Sequence, residues 1–151
     1  MAYRKIKSYE LTEAALRLIW KSEYCQDPVS TFDGVLVYCY EDMFDHIFYE
    51  STNRQVKDKS ILSLNRLEKI YWIKDTLQDG TAILKKGWDK GNKKYFNDRR
   101  VSIVKGNYVV IIRFTGLLKA KLVTAYWKED IENILQGPDF EKTEGYFGDK
   151  A

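Results

Sequence analysis

Residues 107–127 read Asn-Tyr-Val-Val-Ile-Ile-Arg-Phe-Thr-Gly-Leu-Leu-Lys-Ala-Lys-Leu-Val-Thr-Ala-Tyr-Trp, and this stretch decides the fold class. Two runs of β-branched and aromatic residues, 107–114 and 117–127, flank Thr115-Gly116, which is typical of a turn. Two earlier runs of the same kind lie at 81–88 and 94–104. Short connections join antiparallel neighbours, so the second half of the chain predicts a four-stranded antiparallel meander.

The first half of the chain has the period of helices. In residues 10–24, the apolar side chains of Leu11, Ala15, Leu18 and Ile19 fall on one helical face. A second helix is predicted from about Ser60 to Leu77, and a strand at 34–40 and a helical turn at 43–48 lie between the two. The sequence therefore predicts an α+β fold, in which N-terminal helices pack on one face of a curled four-stranded antiparallel sheet.

The composition indicates one folded domain. The chain has 151 residues, 44% of them hydrophobic, which suffices for a core. We expect a single α+β domain at 1–136, ending in a short helix, and a flexible acidic tail at 137–151. Cys25 and Cys39 are too few for a disulfide framework and match no zinc motif, and no apolar leader or membrane span is visible. These features favour a cytoplasmic protein, or an effector domain cut from a longer secreted chain.

The charge is unevenly distributed, although the net charge is only +3. Seven basic residues lie between Lys85 and Arg100, whereas residues 33–50 contain five acids and no lysine or arginine. A basic centre between acidic flanks favours an anionic partner such as RNA. A solvated, lysine-rich hairpin is the alternative interpretation.

Four residues are candidates for catalysis. His46 is the only histidine, and its side chain titrates near neutral pH, so it can act as a general acid or base. Arg66 lies off the apolar stripe of its helix, where its planar guanidinium can bind a phosphate. Thr124 and Tyr126 share one strand face and supply a hydroxyl and a stacking or proton-donating phenol. Each candidate has a structural alternative. His46 can be an ordinary surface histidine, and Arg66 can be a helix arginine paired with an acid. Thr124 and Tyr126 can reflect β-propensity alone.

Four further cations are candidates for substrate binding. Arg99 and Arg100 are neighbours in a strand, so only one of them can face a given side of the sheet. Lys57 and Lys59 precede the second helix and can contact backbone phosphates. No Gly-rich phosphate loop and no spaced set of metal ligands is present, so the sequence predicts neither a cofactor nor a metal.

Three segments in this order resemble the barnase–EndoU–colicin–RelE nuclease superfamily, and its phage- and toxin-associated branches in particular. They are Phe44-Asp-His46, the pattern Arg66-x-x-x-Ile-x-Trp-Ile-x-x-x-Leu77, and Tyr108-Val-Val-Ile-Ile112 followed by Leu122-Val-Thr-Ala-Tyr126. The resemblance covers roughly residues 32–127. It departs from the family where Gln78-Asp-Gly80 replaces the usual proline after the second helix.

The resemblance implies a metal-independent endoribonuclease, toxin- or effector-like, in which the 2′-hydroxyl of RNA attacks the phosphate. It places His46 at the catalytic histidine, and it implies RNA as substrate, with tRNA among the candidates, and an immunity or antitoxin protein as a partner. Two alternatives stay open: a catalytically inactive module on the same fold that binds nucleic acid or protein, and an immunity-type protein that binds through its acidic segments.

Overall fold

The computed structural model describes residues 3–50, 61–89, 93–95 and 100–140. Its α-helices are α1 (Glu13–Trp20), α2 (Met43–Phe48), α3 (Leu64–Leu67), α4 (Trp72–Leu77) and α5 (Glu132–Leu135). Its strands are β1 (Val29–Ser30), β2 (Leu36–Tyr38), β3 (Tyr49–Glu50), β4 (Ile61–Leu62), β5 (Ile83–Lys86), β6 (Trp88–Asp89), β7 (Lys94–Tyr95), β8 (Arg100–Lys105), β9 (Tyr108–Gly116) and β10 (Lys119–Trp127). Within these residues, no helix is long and apolar enough to cross a bilayer.

The main sheet has six strands in the order β1-β2-β10-β9-β8-β5. All neighbours are antiparallel except β2 and β10, which run parallel. The α+β class is thus confirmed. The predicted four-stranded sheet is wrong, and the observed sheet also differs from the one that the family resemblance implies. β1 and β2 are only two and three residues long, and β2 joins the sheet beside β10 by a crossover. Periodicity cannot reveal such short or non-local pairing.

The first helix begins at Glu13, three residues later than predicted, and buries a different face. α1 continues as a π-helical turn at Lys21–Cys25, and its buried side chains are Leu16, Trp20 and Tyr24, spaced four residues apart. Leu18, which the predicted stripe includes, is 63% exposed. The predicted stripe is misplaced because it omits Leu16 and both aromatic residues. Trp20 and Tyr24 carry the larger apolar surfaces, and their rings stack with centroids 4.7 Å apart.

The predicted helix at 60–77 is two helices, and a buried tyrosine occupies the break between them. The Tyr24 hydroxyl donates a hydrogen bond to the Ile70 carbonyl at 2.6 Å and accepts one from the Lys74 amide at 3.0 Å. Ser63 begins α3, since its Oγ accepts a hydrogen bond from the Arg66 amide at 3.1 Å. A side chain from another helix thus takes a carbonyl that a continuous helix would use in its own ladder.

Packing continues four residues beyond the domain boundary predicted at residue 136. The Lys86 amide donates to the Pro138 carbonyl at 3.0 Å, and the Phe140 amide donates to the Leu84 carbonyl at 3.1 Å. Phe140 is 6% exposed and stacks on Phe114. Residues 138–140 therefore extend along the β5 edge of the sheet, and the rest of the predicted tail, 141–151, lies outside the described residues.

Candidate functional site

The main sheet has two faces that differ in what covers them. Val101 and Ile103 of β8, together with Val110 and Ile112 of β9, belong to the hydrophobic core that includes α1 to α4. We call this side the helix face. Side chains alternate along a strand, so the residues between them point to the opposite side. This far face is formed by Arg100, Ser102, Val104, Val109, Ile111, Arg113, Lys121, Thr124 and Tyr126.

Three cations lie side by side on the far face. Arg100 of β8 pairs with Arg113 of β9, and Arg113 pairs with Lys121 of β10. Directly paired residues have Cβ atoms about 5 Å apart, so this basic row extends roughly 10 Å across three strands. Like charges placed directly opposite each other in a sheet repel and destabilise it. An anion bound over the row would remove that repulsion.

Among the residues that the structure describes, nothing neutralises the row at two of its three positions, Arg113 and Lys121. Across the described part of the chain, the side chains of Arg113 and Lys121 form no ion pair and no hydrogen bond. The Arg113 side chain is exposed and that of Lys121 is half-buried, and both line a shallow depression that also includes Thr115. Both cations are thus available to an anionic ligand in solvent.

A cavity of about 330 Å³ adjoins the row and lies between the sheet and α5. Its sheet side is formed by Ser102, Ile111 and Tyr126, and its α5 side by Asn133 and Ile134; Lys86 and Arg100 complete the lining. Arg100 therefore belongs to both the row and the cavity. α5 reaches this position because it follows β10 after only four residues.

The structure brings three of the predicted site residues together on the far face. Arg100 and Tyr126 line the cavity, and Thr124 pairs with Ile111, which also lines it. Val123 forms a bulge, which turns both Thr124 and Tyr126 away from the helix face. Burial raises the pKa of the Tyr126 phenol above its usual value, so the phenol stays protonated at neutral pH and can donate a hydrogen bond or a proton.

The other two catalytic candidates lie together at the end of α2 and do not line the cavity. His46 is exposed on the last turn of this helix. Nη1 of Arg66 donates to the Tyr49 carbonyl at 3.0 Å and to the Ile47 carbonyl at 3.4 Å. Arg66 thus connects α3 to the end of α2, so its guanidinium already has a structural role. α2 contacts β10, the strand that carries Thr124 and Tyr126.

An ion-pair network joins α1 to α2 and to Tyr49. Arg17 binds the Asp45 carboxylate at 2.6 Å and the Glu13 carboxylate at 2.9 Å. The Tyr49 hydroxyl donates to Glu13 at 2.8 Å, and this bond, with that from Arg17, lowers the pKa of Glu13. Asp45, the acid next to His46 in sequence, is therefore engaged by Arg17.

The sequence did not indicate Arg113 and Lys121 of the far face, or Lys86 and Asn133 of the cavity lining. Three residues that it did indicate, Arg99, Lys57 and Lys59, lie outside the described residues. A signal for Arg113 existed, since a single arginine interrupts the apolar run 109–114, but its position opposite Arg100 and Lys121 depends on the register of three strands.

The described residues contain no group of three or more His, Cys, Asp or Glu side chains that could hold a metal ion. The chain as a whole matches no protein-family model, no curated protein and no solved structure. Its resemblance to the barnase–EndoU–colicin–RelE nucleases thus stays a prediction. The basic row, the α5 cavity and the end of α2 are the features that bear on function.

Proposed function

We propose that this protein is a metal-independent endoribonuclease that binds the phosphates of RNA on the basic row. The row of Arg100, Arg113 and Lys121 is the observation that carries the proposal. Cross-strand pairs in a sheet change its stability by about 0.2–1 kcal/mol, and like charges do so unfavourably. RNA phosphates would turn this repulsion into attraction and release bound counterions, which favours association at low salt.

Cleavage requires one group that accepts a proton and a second group that donates one. The neutral imidazole of His46 takes the proton of the 2′-hydroxyl as that oxygen attacks phosphorus. The bond from phosphorus to the 5′-oxygen breaks, and the Tyr126 phenol donates its proton to that leaving oxygen. The products are a 2′,3′-cyclic phosphate and a free 5′-hydroxyl. Arg100 and Arg113 stabilise the negative charge that builds up on the phosphate oxygens.

Thr124 and Arg66 have supporting roles in this proposal. Thr124 donates a hydrogen bond to the scissile phosphate from the same face as Tyr126. Arg66 positions His46 by holding the carbonyls that follow it at the end of α2. His46 does not line the α5 cavity, whereas Tyr126 does. Because both groups act on oxygens of one phosphate, the scissile phosphate must lie between the end of α2 and β10, the strand that α2 contacts.

The biological setting that we propose depends on the family resemblance. A small nuclease of this kind would act as a toxin or effector, and an immunity or antitoxin protein would restrain it. Such a partner would cover the basic row, because that is where it would compete with RNA. The location of the protein follows from the same setting, either in the cytoplasm or as the effector part of a longer secreted chain.

Cleavage of a mixed cellular RNA pool in excess EDTA tests the proposal. We expect the wild-type protein to produce fragments that end in 2′,3′-cyclic phosphate. His46→Ala should abolish cleavage and retain RNA binding, whereas Lys7→Ala, which removes an exposed cation elsewhere, should cleave as the wild type does. Cleavage that stops in EDTA, or that survives in His46→Ala, would refute the mechanism.

A second function, RNA binding without cleavage, is favoured by the contacts at the end of α2. The Arg66 guanidinium binds backbone carbonyls and Asp45 binds Arg17, so both side chains already have structural uses. The same RNA pool separates the two functions. Binding that depends on Arg113 but leaves the RNA intact, in a preparation shown to be free of a co-purified inhibitor, would establish the binding module.

A further inference from the structure

The cavity between the far face and α5 has the lining of a site for a planar, partly polar ring. On the sheet side it presents the Ile111 side chain and the aromatic ring of Tyr126, and on the α5 side it presents Ile134. Apolar and aromatic side chains that line a cavity from two elements favour a flat ring. Its volume of about 330 Å³ is at the lower end of the range of small-molecule sites, roughly 300–1,000 Å³.

Polar groups that can read the edge of such a ring are also present. The Asn133 carboxamide offers both a donor and an acceptor, and the Ser102 hydroxyl offers the same pair from the sheet. Nucleobases differ from one another in the order of donors and acceptors along their edges. A carboxamide at a single position can therefore favour one base over another, which a lysine or an arginine bound to phosphate cannot do.

The basic row determines which ligands can reach the cavity. Arg100 belongs both to the row and to the lining of the cavity, so a phosphate held on the row has its own base within reach of the cavity mouth. Bases in a duplex are paired and stacked, whereas those of single strands and loops are free to turn outward. The arrangement thus suits an unpaired nucleotide.

We infer that the α5 cavity binds one unstacked nucleobase of a single-stranded RNA segment, and that Asn133 determines which base is preferred. This inference deepens the proposed function, since it depends on RNA binding at the basic row. It adds a base preference that phosphate contacts cannot supply. Ile111 and Ile134 hold the ring, and Tyr126 lies beside it, close to the phosphate on which the phenol would act.

Binding of short 2′-O-methyl oligonucleotides tests the inference without cleavage, because these probes lack the attacking hydroxyl. Fluorescently labelled tetramers of A, C, G and U would be titrated with the wild-type protein. We expect their dissociation constants to differ at least fivefold between the best and the worst base. Asn133→Ala should reduce this difference to less than twofold while leaving the weakest probe unchanged. Ile134→Trp, which fills the cavity, should weaken the best probe to the level of the worst.

Gln136→Ala is the matched control, because Gln136 is exposed just after α5 and does not line the cavity. Three outcomes would overturn the inference: equal affinity of the wild-type protein for all four probes, an unchanged preference in Asn133→Ala and Ile134→Trp, or the same loss of preference in Gln136→Ala. RNA binding without any base preference would refute the base site but would remain consistent with the proposed function. Failure of the wild-type protein to bind any probe or cellular RNA would remove both.

Discussion

Arg100 and Arg113 lie directly opposite each other on neighbouring strands, and Lys121 continues the pairing on the third strand. We expect Arg113→Gln to raise the free energy of unfolding by roughly 0.2–1 kcal/mol, because it removes the repulsion between Arg113 and Lys121. The same change should weaken RNA binding and reduce the slope of log K against log salt by about 0.7, which corresponds to one lost phosphate contact on a single strand.

Urea denaturation and fluorescence anisotropy at several salt concentrations measure these two effects. Lys7→Gln is the control, since it removes one exposed positive charge far along the chain from the row. If Arg113→Gln lowered stability and left the salt slope as it is in the wild type, the row would be an ordinary solvated surface.

Gly87 fixes the position of Arg100. The Gly87 amide donates to the Arg100 carbonyl at 2.9 Å, and a Cβ at position 87 would lie 2.7 Å from Cδ and 2.9 Å from Cβ of Arg100. In Gly87→Ala, the added methyl group would therefore push the whole Arg100 side chain, including its Cβ, out of its present position. We expect a loss of about 1–3 kcal/mol in stability, as in overpacked cores, together with weaker RNA binding.

Gly116→Ala is the matched control for this change, because the added methyl group at the end of β9 would meet nothing within 4 Å. Denaturation curves and RNA titrations on the two variants decide the matter. Equal stability and equal RNA affinity of Gly87→Ala and Gly116→Ala would show that the position of Arg100 does not depend on Gly87.

Tyr126→Phe separates proton donation from binding. The variant keeps the ring that lines the cavity and loses only the hydroxyl, so we expect RNA affinity to change less than about twofold. Cleavage should fall by about 10²–10⁴-fold, the usual contribution of a general acid. Single-turnover cleavage with saturating protein measures the chemical step directly. A variant that cleaves at the wild-type rate would exclude the phenol as the proton donor and leave the binding surface unaffected.

Local patterns in the sequence predict part of this structure. The helical turn at Met43–Phe48 and the hairpin turn at Gly106-Asn107 are confirmed, and so are the long strands β9 and β10, because each depends on neighbours in sequence. Alternation along a strand determines which side chains share a face, so Arg100 and Tyr126 could each be recognised as candidates from local sequence.

The remaining features depend on contacts that are distant in sequence. The parallel pairing of β2 with β10 joins residues 36–38 to 119–121. The break between α3 and α4 depends on Tyr24, which lies 46 residues before Ile70. The basic row likewise depends on the register of β8, β9 and β10. No single segment contains this information, so the site could be predicted only in fragments.

The hydroxyl of Tyr24 should be essential to stability because it joins three segments inside the core. It donates to the Ile70 carbonyl and accepts from the Lys74 amide, and the residue is fully buried. Tyr24→Phe leaves both backbone groups without this partner, which should cost about 1–3 kcal/mol at neutral pH. Tyr9→Phe, at a residue that is 70% exposed, should cost little and serves as the control.

The pH dependence of the stability that Tyr24→Phe loses gives a second check on the buried hydroxyl. Burial raises the pKa of Tyr24 in the folded protein well above its ordinary value of 10, so the folded state keeps a proton that the unfolded chain releases. The stability linked to this group is thus fully present below about pH 10 and declines as the pH rises further. Phenylalanine cannot ionise, so the difference in stability between the wild type and Tyr24→Phe should narrow above about pH 10. A difference that stayed constant from about pH 7 to pH 11 would contradict the burial of a protonated phenol.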